Sequence, residues 1–341
     1  MKRRLIYLSI LICLFLIGFK KRYLIARHLT LIEQKTYGAV ADKIESSDKN
    51  VTVENAFPGF NFTQPTCMKL LTKNGLETLY VSELSGKLYS LDLTKGKREK
   101  KLIVDISSQN STTDFGGLLG FEVQPDKNRI YLHYNSSKNV VQVSAFETKT
   151  DFEKEHKILT INPTYHGGGT LALDNAGNLF ISVGDSKRYD SDNSAQDLSK
   201  LQGKLLRIYP DSIVPTKYYI PKTNPFKNNH SGYREEIYAY GFRNPFRYSI
   251  HPWTGEIYLG DVGEDHREEI NRIQKGGNYG WKLFEGNRAF QQEATSPTKK
   301  LHKPMYEYKH GLAGYSCYMR LSLFRTGSTH IKRKINLCRL C

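Results

Sequence analysis

Four short apolar triplets recur along this chain at intervals that few folds allow. Each triplet is aliphatic–aromatic–aliphatic, and the four occupy residues 79–81, 130–132, 179–181 and 257–259. They begin 51, 49 and 78 residues apart, and the longest interval contains a loop-rich segment at 211–231. A period near 50 residues with one strand signal per unit is typical of the blades of a β-propeller. A β-sandwich with coincidental spacing is the alternative.

The composition favours an all-β chain. Among the 341 residues, 27 are glycine and 22 are tyrosine, and long helical apolar periods are hard to find after residue 35. The formal net charge of +16 is compatible with binding of nucleic acid. However, the basic residues concentrate near 2–27, 95–101 and 299–339, whereas 160–290 mixes both signs. A generally basic surface therefore explains the charge better than binding of nucleic acid.

The N-terminus has the design of a secretory signal. An apolar run at 5–19 lies between two basic groups, at 2–4 and 20–22. Fifteen residues are short for a membrane span, but the basic residues after the run oppose clean cleavage. We therefore expect residues 1–22 to form a signal peptide or a signal anchor, which is a possible membrane link. A polar stalk follows at 23–55, and the expected location is secreted or at the cell surface.

Glycosylation motifs and cysteines add modest support for this route. Sequons begin at five asparagines, which predicts a glycoprotein. These are Asn50, Asn61, Asn110, Asn135 and Asn229. Of five cysteines only Cys67 lies in the body of the chain, so neither a disulfide scaffold nor a zinc site is indicated.

His166 is the first candidate for chemistry. It precedes three glycines, which we interpret as leaving the imidazole open to a planar ligand. An ordinary histidine titrates near pH 6.5, which suits a general base. The alternative is a turn histidine that only caps a strand, and residue type does not decide between the two.

A second group of candidates lies within residues 238–281. Arg243 and Asn244 stand at a chain reversal before Pro245, where a guanidinium suits an anionic ligand. The acidic, glycine-bearing loop at 260–265 suits a hard cation such as calcium. Each feature also has an ordinary interpretation as a surface arginine or a solvated turn. We interpret Asp185 as a loop acid and Trp281 as a packing residue.

Five motifs together resemble the glucose/sorbosone dehydrogenase family, which includes soluble quinoprotein aldose dehydrogenases and Hedgehog-interacting-protein-like proteins. The resemblance covers about residues 56–315. The motif sequences are more similar to those of Hedgehog-interacting-protein-like proteins than to those of the soluble dehydrogenases. The motifs are HGGGTLALDNAGNLFISVGD from 166, AQDLSKLQGKLLRI from 195, YGFRNPFR from 240, GDVGEDHREEIN from 260 and GGNYGW from 276.

This resemblance implies a six-bladed propeller that binds pyrroloquinoline quinone (PQQ) and calcium and oxidises a small-molecule sugar. By motif position, His166 takes the sugar hydroxyl proton while hydride passes from the anomeric carbon to the quinone. Arg243 and Asn244 hold the cofactor's anionic oxygens. The backbone carbonyls of Gly263 and Glu264 contribute to the calcium site.

Two departures from the family pattern favour a second hypothesis. Phe115 stands where soluble glucose dehydrogenases carry a polar cofactor contact. The tail at 316–341 is basic and contains no recognisable blade, so we expect a ring that is incomplete at its C-terminal end. The alternative function is a non-catalytic extracellular binding propeller of the Hedgehog-interacting-protein-like type, which holds a protein or glycan ligand.

Overall fold

A computed structural model describes residues 59–93, 99–112, 116–147, 154–211, 213–290, 301–309, 320–322 and 336–338. The predicted signal segment at 1–22 and the stalk at 23–55 lie outside these residues. Phe115 and most of the tail at 316–341 also lie outside. The predictions for these segments therefore stay predictions.

The first two blades are four-stranded antiparallel sheets in which each strand pairs with the next along the chain. The first blade contains β1 (Pro65–Lys73), β2 (Leu76–Glu83), β3 (Lys87–Asp92) and β4 (Lys100–Asp105). The second contains β5 (Leu118–Gln124), β6 (Arg129–Ser137), β7 (Val140–Glu147) and β8 (Glu155–Ile161).

The next two blades repeat this pattern with insertions. The third contains β9 (Leu171–Leu173), β10 (Leu179–Val183), β11 (Lys204–Pro210), β12 (Tyr218–Tyr219) and β13 (Ile237–Tyr240), and both β12 and β13 pair with β11. The fourth contains β14 (Pro245–Ile250), β15 (Ile257–Asp261), β16 (Arg267–Ile273) and β19 (Tyr306–Lys309). Two separate strand pairs are β17 (Phe284–Glu285) with β18 (Arg288–Ala289), and β20 (Arg320–Ser322) with β21 (Asn336–Cys338).

The four apolar triplets all fall in the second strand of a blade, namely β2, β6, β10 and β15. Because side chains alternate across a strand, the aromatic residue and its two aliphatic neighbours face opposite sides of the sheet. Tyr131 packs in the core between the second and third blades, whereas Ile130 and Leu132 pack in the core between the first and second. The prediction of an all-β propeller is therefore confirmed. The described residues contain four blades, and a total of six stays a prediction.

A single arginine joins the first strands of all four blades. The Nη2 atom of Arg247, in β14, donates to the carbonyls of Thr66 in β1 (3.1 Å) and Leu119 in β5 (3.2 Å). Its Nη1 atom donates to the carbonyls of Phe246 (3.0 Å) and of Gly169, just before β9 (3.4 Å). One rigid cation thus satisfies carbonyls that meet where the blades converge.

The part of the chain that the structure describes contains no helix long and apolar enough to cross a membrane. Asn61 is exposed and fits a glycosylation site, but Asn135 is only 7% exposed within β6. Glycosylation of Asn135 is therefore incompatible with the folded structure, whereas Asn50 lies outside the described residues.

Candidate active site

The imidazole of His166 is buried and hydrogen-bonded to the carboxylate of Asp185, which from the sequence alone looks like an ordinary loop acid. Its Nδ1 atom lies 2.7 Å from Oδ1 of Asp185, which lies two residues after the end of β10. The other oxygen of Asp185 accepts a hydrogen bond from Nε1 of Trp281 at 3.0 Å. His166 and Trp281 are 4% and 3% exposed, and Asp185 is fully buried. These contacts fix the ring of His166 from one side and direct Nε2 away from Asp185.

The glycines after His166 are required by close packing. Gly168 has a φ of +71°, and a Cβ there would lie 2.4 Å from the carbonyl oxygen of Ser182. Gly169 has a φ of +129°, and a Cβ there would lie 2.7 Å from Cβ of Leu119. The glycines are therefore needed so that the loop can pack against its neighbouring strands. The sequence had suggested another explanation, that the glycines leave the imidazole open to a ligand.

Burial controls the protonation of the His166–Asp185 pair. Burial lowers the pKa of His166 to about 3, and the positive charge of Arg243 acts in the same direction. Burial raises the pKa of Asp185 to about 8, against the opposing effects of Arg243 and the Trp281 hydrogen bond. Since the two groups share a hydrogen bond, they titrate as a pair. The pair therefore gives up a proton near pH 8, and above that pH a neutral imidazole faces an ionised carboxylate.

Arg243 lies beside this pair, as the sequence motifs required, but it already has an anionic partner. Its Nε donates to Oε2 of Glu264 at 2.6 Å, and its Nη2 donates to the same oxygen. Its Nη1 donates to the carbonyl of Val262 at 3.0 Å. The guanidinium carbon lies 5.9 Å from the ring centroid of Trp281. Trp281 therefore contacts both Asp185 and Arg243, and it connects the two halves of the site.

The backbone that carries Arg243 and Asn244 is held by a buried carboxylate. Asp261, at the end of β15, accepts from the backbone N–H of Arg243 at 3.0 Å and of Asn244 at 2.7 Å. The side-chain oxygen of Asn244 accepts from the N–H of Gly168 at 3.3 Å. Among the described residues its Nδ2 has no hydrogen-bond acceptor, so this amide is available to a ligand.

The acidic loop folds around a carboxylate. Oε1 of Glu285 accepts from the backbone N–H groups of four consecutive residues at 2.8–3.0 Å. In a trans peptide the carbonyl points opposite to the N–H, so the carbonyls of Gly263 and Glu264 point away from Glu285. Among the described residues nothing donates to these two carbonyls. The four donors are the N–H groups of Glu264, Asp265, His266 and Arg267.

Gly263 is required at its position because a Cβ there would lie 1.6 Å from the carbonyl oxygen of Arg267. The described residues contain no group of three or more His, Cys, Asp or Glu side chains that could hold a metal ion. A cation at this loop would therefore depend on backbone carbonyls, as the family resemblance implies, and on ligands from outside the loop.

Four groups of the candidate site have contacts there that the sequence does not predict: Asp185, Asp261, Trp281 and Glu285. Asp185 and Asp261 each stand at the C-terminal end of a strand, on the same side of the propeller as His166 and Arg243. That shared position was a usable signal. No sequence signal marked Glu285, since its contacts depend on the insertion that forms β17 and β18. Trp281 does pack as predicted, 4.7 Å from the ring of Phe290, but its N–H also reaches Asp185.

Lys204 supports the loop behind the site. This fully buried amine donates to the carbonyls of Ser194 (2.7 Å), Ala195 (3.1 Å) and Gln202 (2.7 Å). Burial lowers its pKa to about 7. Gln196 in the same loop donates to the carbonyl of Trp281 at 2.6 Å. Lys204 therefore positions the loop that in turn positions Trp281.

We expect Lys204→Met to lower the free energy of unfolding by about 3 kcal/mol, because three buried carbonyls lose a donor. The folded pKa of about 7 lies below the unfolded value of 10.5, so the unfolded chain binds the extra proton between these values. Wild-type stability should therefore rise with pH above 7 relative to the variant. Urea denaturation at pH 7 and pH 9 measures both effects. Lys200→Met, which removes a half-exposed amine from the same loop, is the matched control; an equal loss in both variants contradicts the assignment.

Comparison with known proteins decides the family. A sequence model described as glucose/sorbosone dehydrogenase matches residues 62–320. The chain belongs to the glucose/sorbosone dehydrogenase family. It is 37% identical over 187 residues to the aldose sugar dehydrogenase YliI of Escherichia coli K12, covering 49% of this chain and 46% of that protein. It is 34% identical over 174 residues to the HIPL2 protein of Arabidopsis thaliana, covering 45% and 25%. The matches thus span less than half the length of these relatives.

Solved structures agree on the propeller. The apo form of the soluble aldose sugar dehydrogenase of Escherichia coli superposes with a TM-score of 0.57 at 28% identity, covering 72% of each chain. The PQQ-bound aldose sugar dehydrogenase of Streptomyces coelicolor gives 0.57 at 24% identity, covering 73% of this chain and 69% of that one. At 24% identity the second likeness shows the fold alone.

Proposed function

We propose that this protein is a PQQ- and calcium-dependent aldose dehydrogenase. The observation that carries the proposal is the pairing of a buried, neutral imidazole with a carboxylate at 2.7 Å, directly beside a buried guanidinium. The imidazole of His166 suits proton abstraction, and the guanidinium of Arg243 suits binding of an anionic electron acceptor. Membership of the family and the likeness to the soluble aldose sugar dehydrogenase of Escherichia coli support it.

The donor set fits an anionic planar quinone. Arg243 supplies a guanidinium, and Asn244 supplies an amide N–H that has no acceptor among the described residues. Trp281 supplies a buried indole that contacts the guanidinium. The carbonyls of Gly263 and Glu264 point away from Glu285 and suit a hard cation. These groups would hold PQQ and calcium.

The catalytic work of the chain falls to His166. With Asp185 ionised, Nδ1–H of the imidazole donates to the carboxylate, so Nε2 presents a lone pair. Nε2 accepts the proton of the sugar's anomeric hydroxyl, and Asp185 stabilises the imidazolium that forms. When bound, PQQ supplies the two-electron acceptor for the hydride of the anomeric carbon, and calcium polarises it. Arg243 stabilises the negative charge that develops on the acceptor.

The test is a dye-linked assay of purified protein after addition of PQQ and calcium, with a panel of aldoses. We expect dye reduction that depends on the sugar, on PQQ and on calcium. A rate no higher than that of His166→Ala under the same conditions rejects the proposed function.

The rate should also rise with pH as the His166–Asp185 pair loses its proton. Burial places the pKa of Asp185 near 8, so the competent form with an ionised carboxylate is a minority below pH 7 and dominates above pH 9. We expect kcat to increase about tenfold between pH 7 and pH 9. Asp185→Asn should abolish this rise. A flat profile for the wild type, or the same rise in the variant, contradicts the assignment.

A non-catalytic binding propeller is the second candidate. The likeness to the HIPL2 protein of Arabidopsis thaliana favours it, as does the engagement of Arg243 by Glu264 within the chain. It predicts specific capture of an extracellular protein or glycan without affinity for PQQ. Under either function we propose a secreted or cell-surface location, which detection of the intact protein on cells or in medium would test.

A further inference from the structure

A cleft at the far end of the same two strands forms a second candidate site. His166 and Arg243 precede β9 and β14, whereas the cleft is lined by the turns that follow these strands, at 173–176 and 250–255. Six residues of β14 span about 20 Å. The cleft is thus on the opposite side of the propeller from the candidate active site, and its volume of about 420 Å³ suits a small ligand.

The main surface of the cleft is an exposed indole. Trp253 is 64% exposed, whereas Trp281, the other tryptophan of the chain, is 3% exposed. The imidazole of His251 lies edge-on to Trp253 with ring centroids 5.4 Å apart. A large flat apolar face left in water beside a cleft favours a ligand that can stack on it.

The polar groups of the cleft are preformed. Nδ2 of Asn175 donates to the carbonyl of Pro252 at 2.8 Å, which joins the two turns. Nδ1 of His251 accepts from the N–H of Thr254 at 3.1 Å, so in the neutral ring Nε2 carries the proton. Among the described residues that Nε2–H has no acceptor, and Oδ1 of Asn175 has no donor. The cleft thus offers one donor and one acceptor beside the indole.

The charge of the cleft selects a neutral ligand. Its lining contains no lysine or arginine, and its one carboxylate is Asp174. That carboxylate already accepts from the N–H groups of Ala176 and Asn178 and from the side-chain amide of Asn178. An anionic ligand such as a phosphate would meet no cation. A pyranose has an apolar C–H face and a rim of hydroxyls that can donate and accept, which matches this surface.

We propose that this cleft binds a neutral sugar unit of a glycan, stacked on Trp253 and hydrogen-bonded by Asn175 and His251. The site is separate from the sugar that the proposed dehydrogenase would oxidise, and it requires neither PQQ nor calcium.

Neutral methyl oligoglycosides are the probe, because they lack a free anomeric hydroxyl and cannot be substrates at His166. In acrylamide quenching, the sugar should protect the accessible Trp253 and leave buried Trp281 unaffected. Calorimetry without PQQ should show binding by the wild type and His166→Ala, and affinity at least about tenfold lower for Trp253→Ala.

Tyr219→Ala, which removes another exposed aromatic ring (59%), is the matched control and should bind like the wild type. Melting curves confirm that each variant is folded. Failure of every methyl oligoglycoside to protect Trp253, or equal affinity for the wild type and Trp253→Ala, overturns the proposal. Capture of a sugar-free protein through Trp253 instead would also overturn it. None of these outcomes depends on dehydrogenase activity.

Discussion

Replacing His166 by alanine is expected to lower kcat for aldose oxidation by about 10²- to 10⁴-fold, the usual contribution of a general base. The imidazole is buried and held at 2.7 Å by Asp185, and the methyl group of alanine provides no atom in place of Nε2 that can accept a proton. The affinity for PQQ should change by less than threefold, because the proposed role of His166 is to accept a proton from the sugar and not to hold the cofactor. Dye-linked kinetics and a PQQ titration by calorimetry measure these two quantities separately.

Asp185→Asn tests whether the carboxylate acts through the imidazole. It should retain more activity than His166→Ala, and it should lose the rise in kcat between pH 7 and pH 9. Since Asp185 positions His166 and does not touch the sugar, KM should change little. A His166→Ala variant that keeps more than a tenth of the wild-type kcat contradicts the role of the base.

Arg243→Ala and Glu264→Gln are expected to change PQQ affinity in opposite directions. Arg243 is 8% exposed and donates twice to Glu264, so Glu264 occupies the guanidinium that an anionic cofactor requires. Loss of the arginine should weaken PQQ binding by about 10²-fold, in line with the 2–5 kcal/mol typical of removing one partner of a buried charge pair. Loss of the competing carboxylate in Glu264→Gln should strengthen binding by about tenfold.

The comparison of Arg243→Ala with Glu264→Gln needs two controls. Arg243→Ala leaves the carboxylate of Glu264 without its cation, so the double variant Arg243→Ala/Glu264→Gln separates loss of binding from loss of stability. Arg234→Ala removes the arginine of another ion pair, with Glu236, and should leave PQQ affinity unchanged. Weaker PQQ binding by Glu264→Gln contradicts the competition and indicates instead that the carboxylate itself helps to hold the cofactor or calcium.

The blades were predictable because their signal is local. Period-2 alternation places Ile130 and Tyr131 on opposite faces of one strand, and each face packs against a neighbouring blade. The number of blades is harder to predict from the sequence, because ring closure depends on contacts between residues far apart in sequence. Arg247 shows the same limit: three of its four carbonyl partners, in Thr66, Leu119 and Gly169, lie in segments that meet it only after the blades converge.

The sequence motifs predicted that His166 and Arg243 belong to one site, and the structure places both beside Asp185; their chemical roles stay predictions. The sequence does not predict the contacts that a common residue type acquires only through burial in the folded chain. Asp185 is one of many aspartates, and it becomes distinctive only because β10 ends beside the loop of His166 and Trp281 approaches from 96 residues away. The carboxylate of Glu285 likewise organises the acidic loop through the backbone N–H groups of 264–267, which no side-chain pattern reveals.

The most direct test of the central claim, that His166 and Arg243 form a sugar-oxidising site, is a hydrogen isotope experiment. Protein loaded with PQQ and calcium is mixed with an aldose that carries hydrogen or deuterium at the anomeric carbon, and dye reduction is followed. Turnover is expected to be severalfold slower with the deuterated sugar and nearly absent in His166→Ala. No turnover in the wild type, or turnover unaffected by His166→Ala, would contradict the claim.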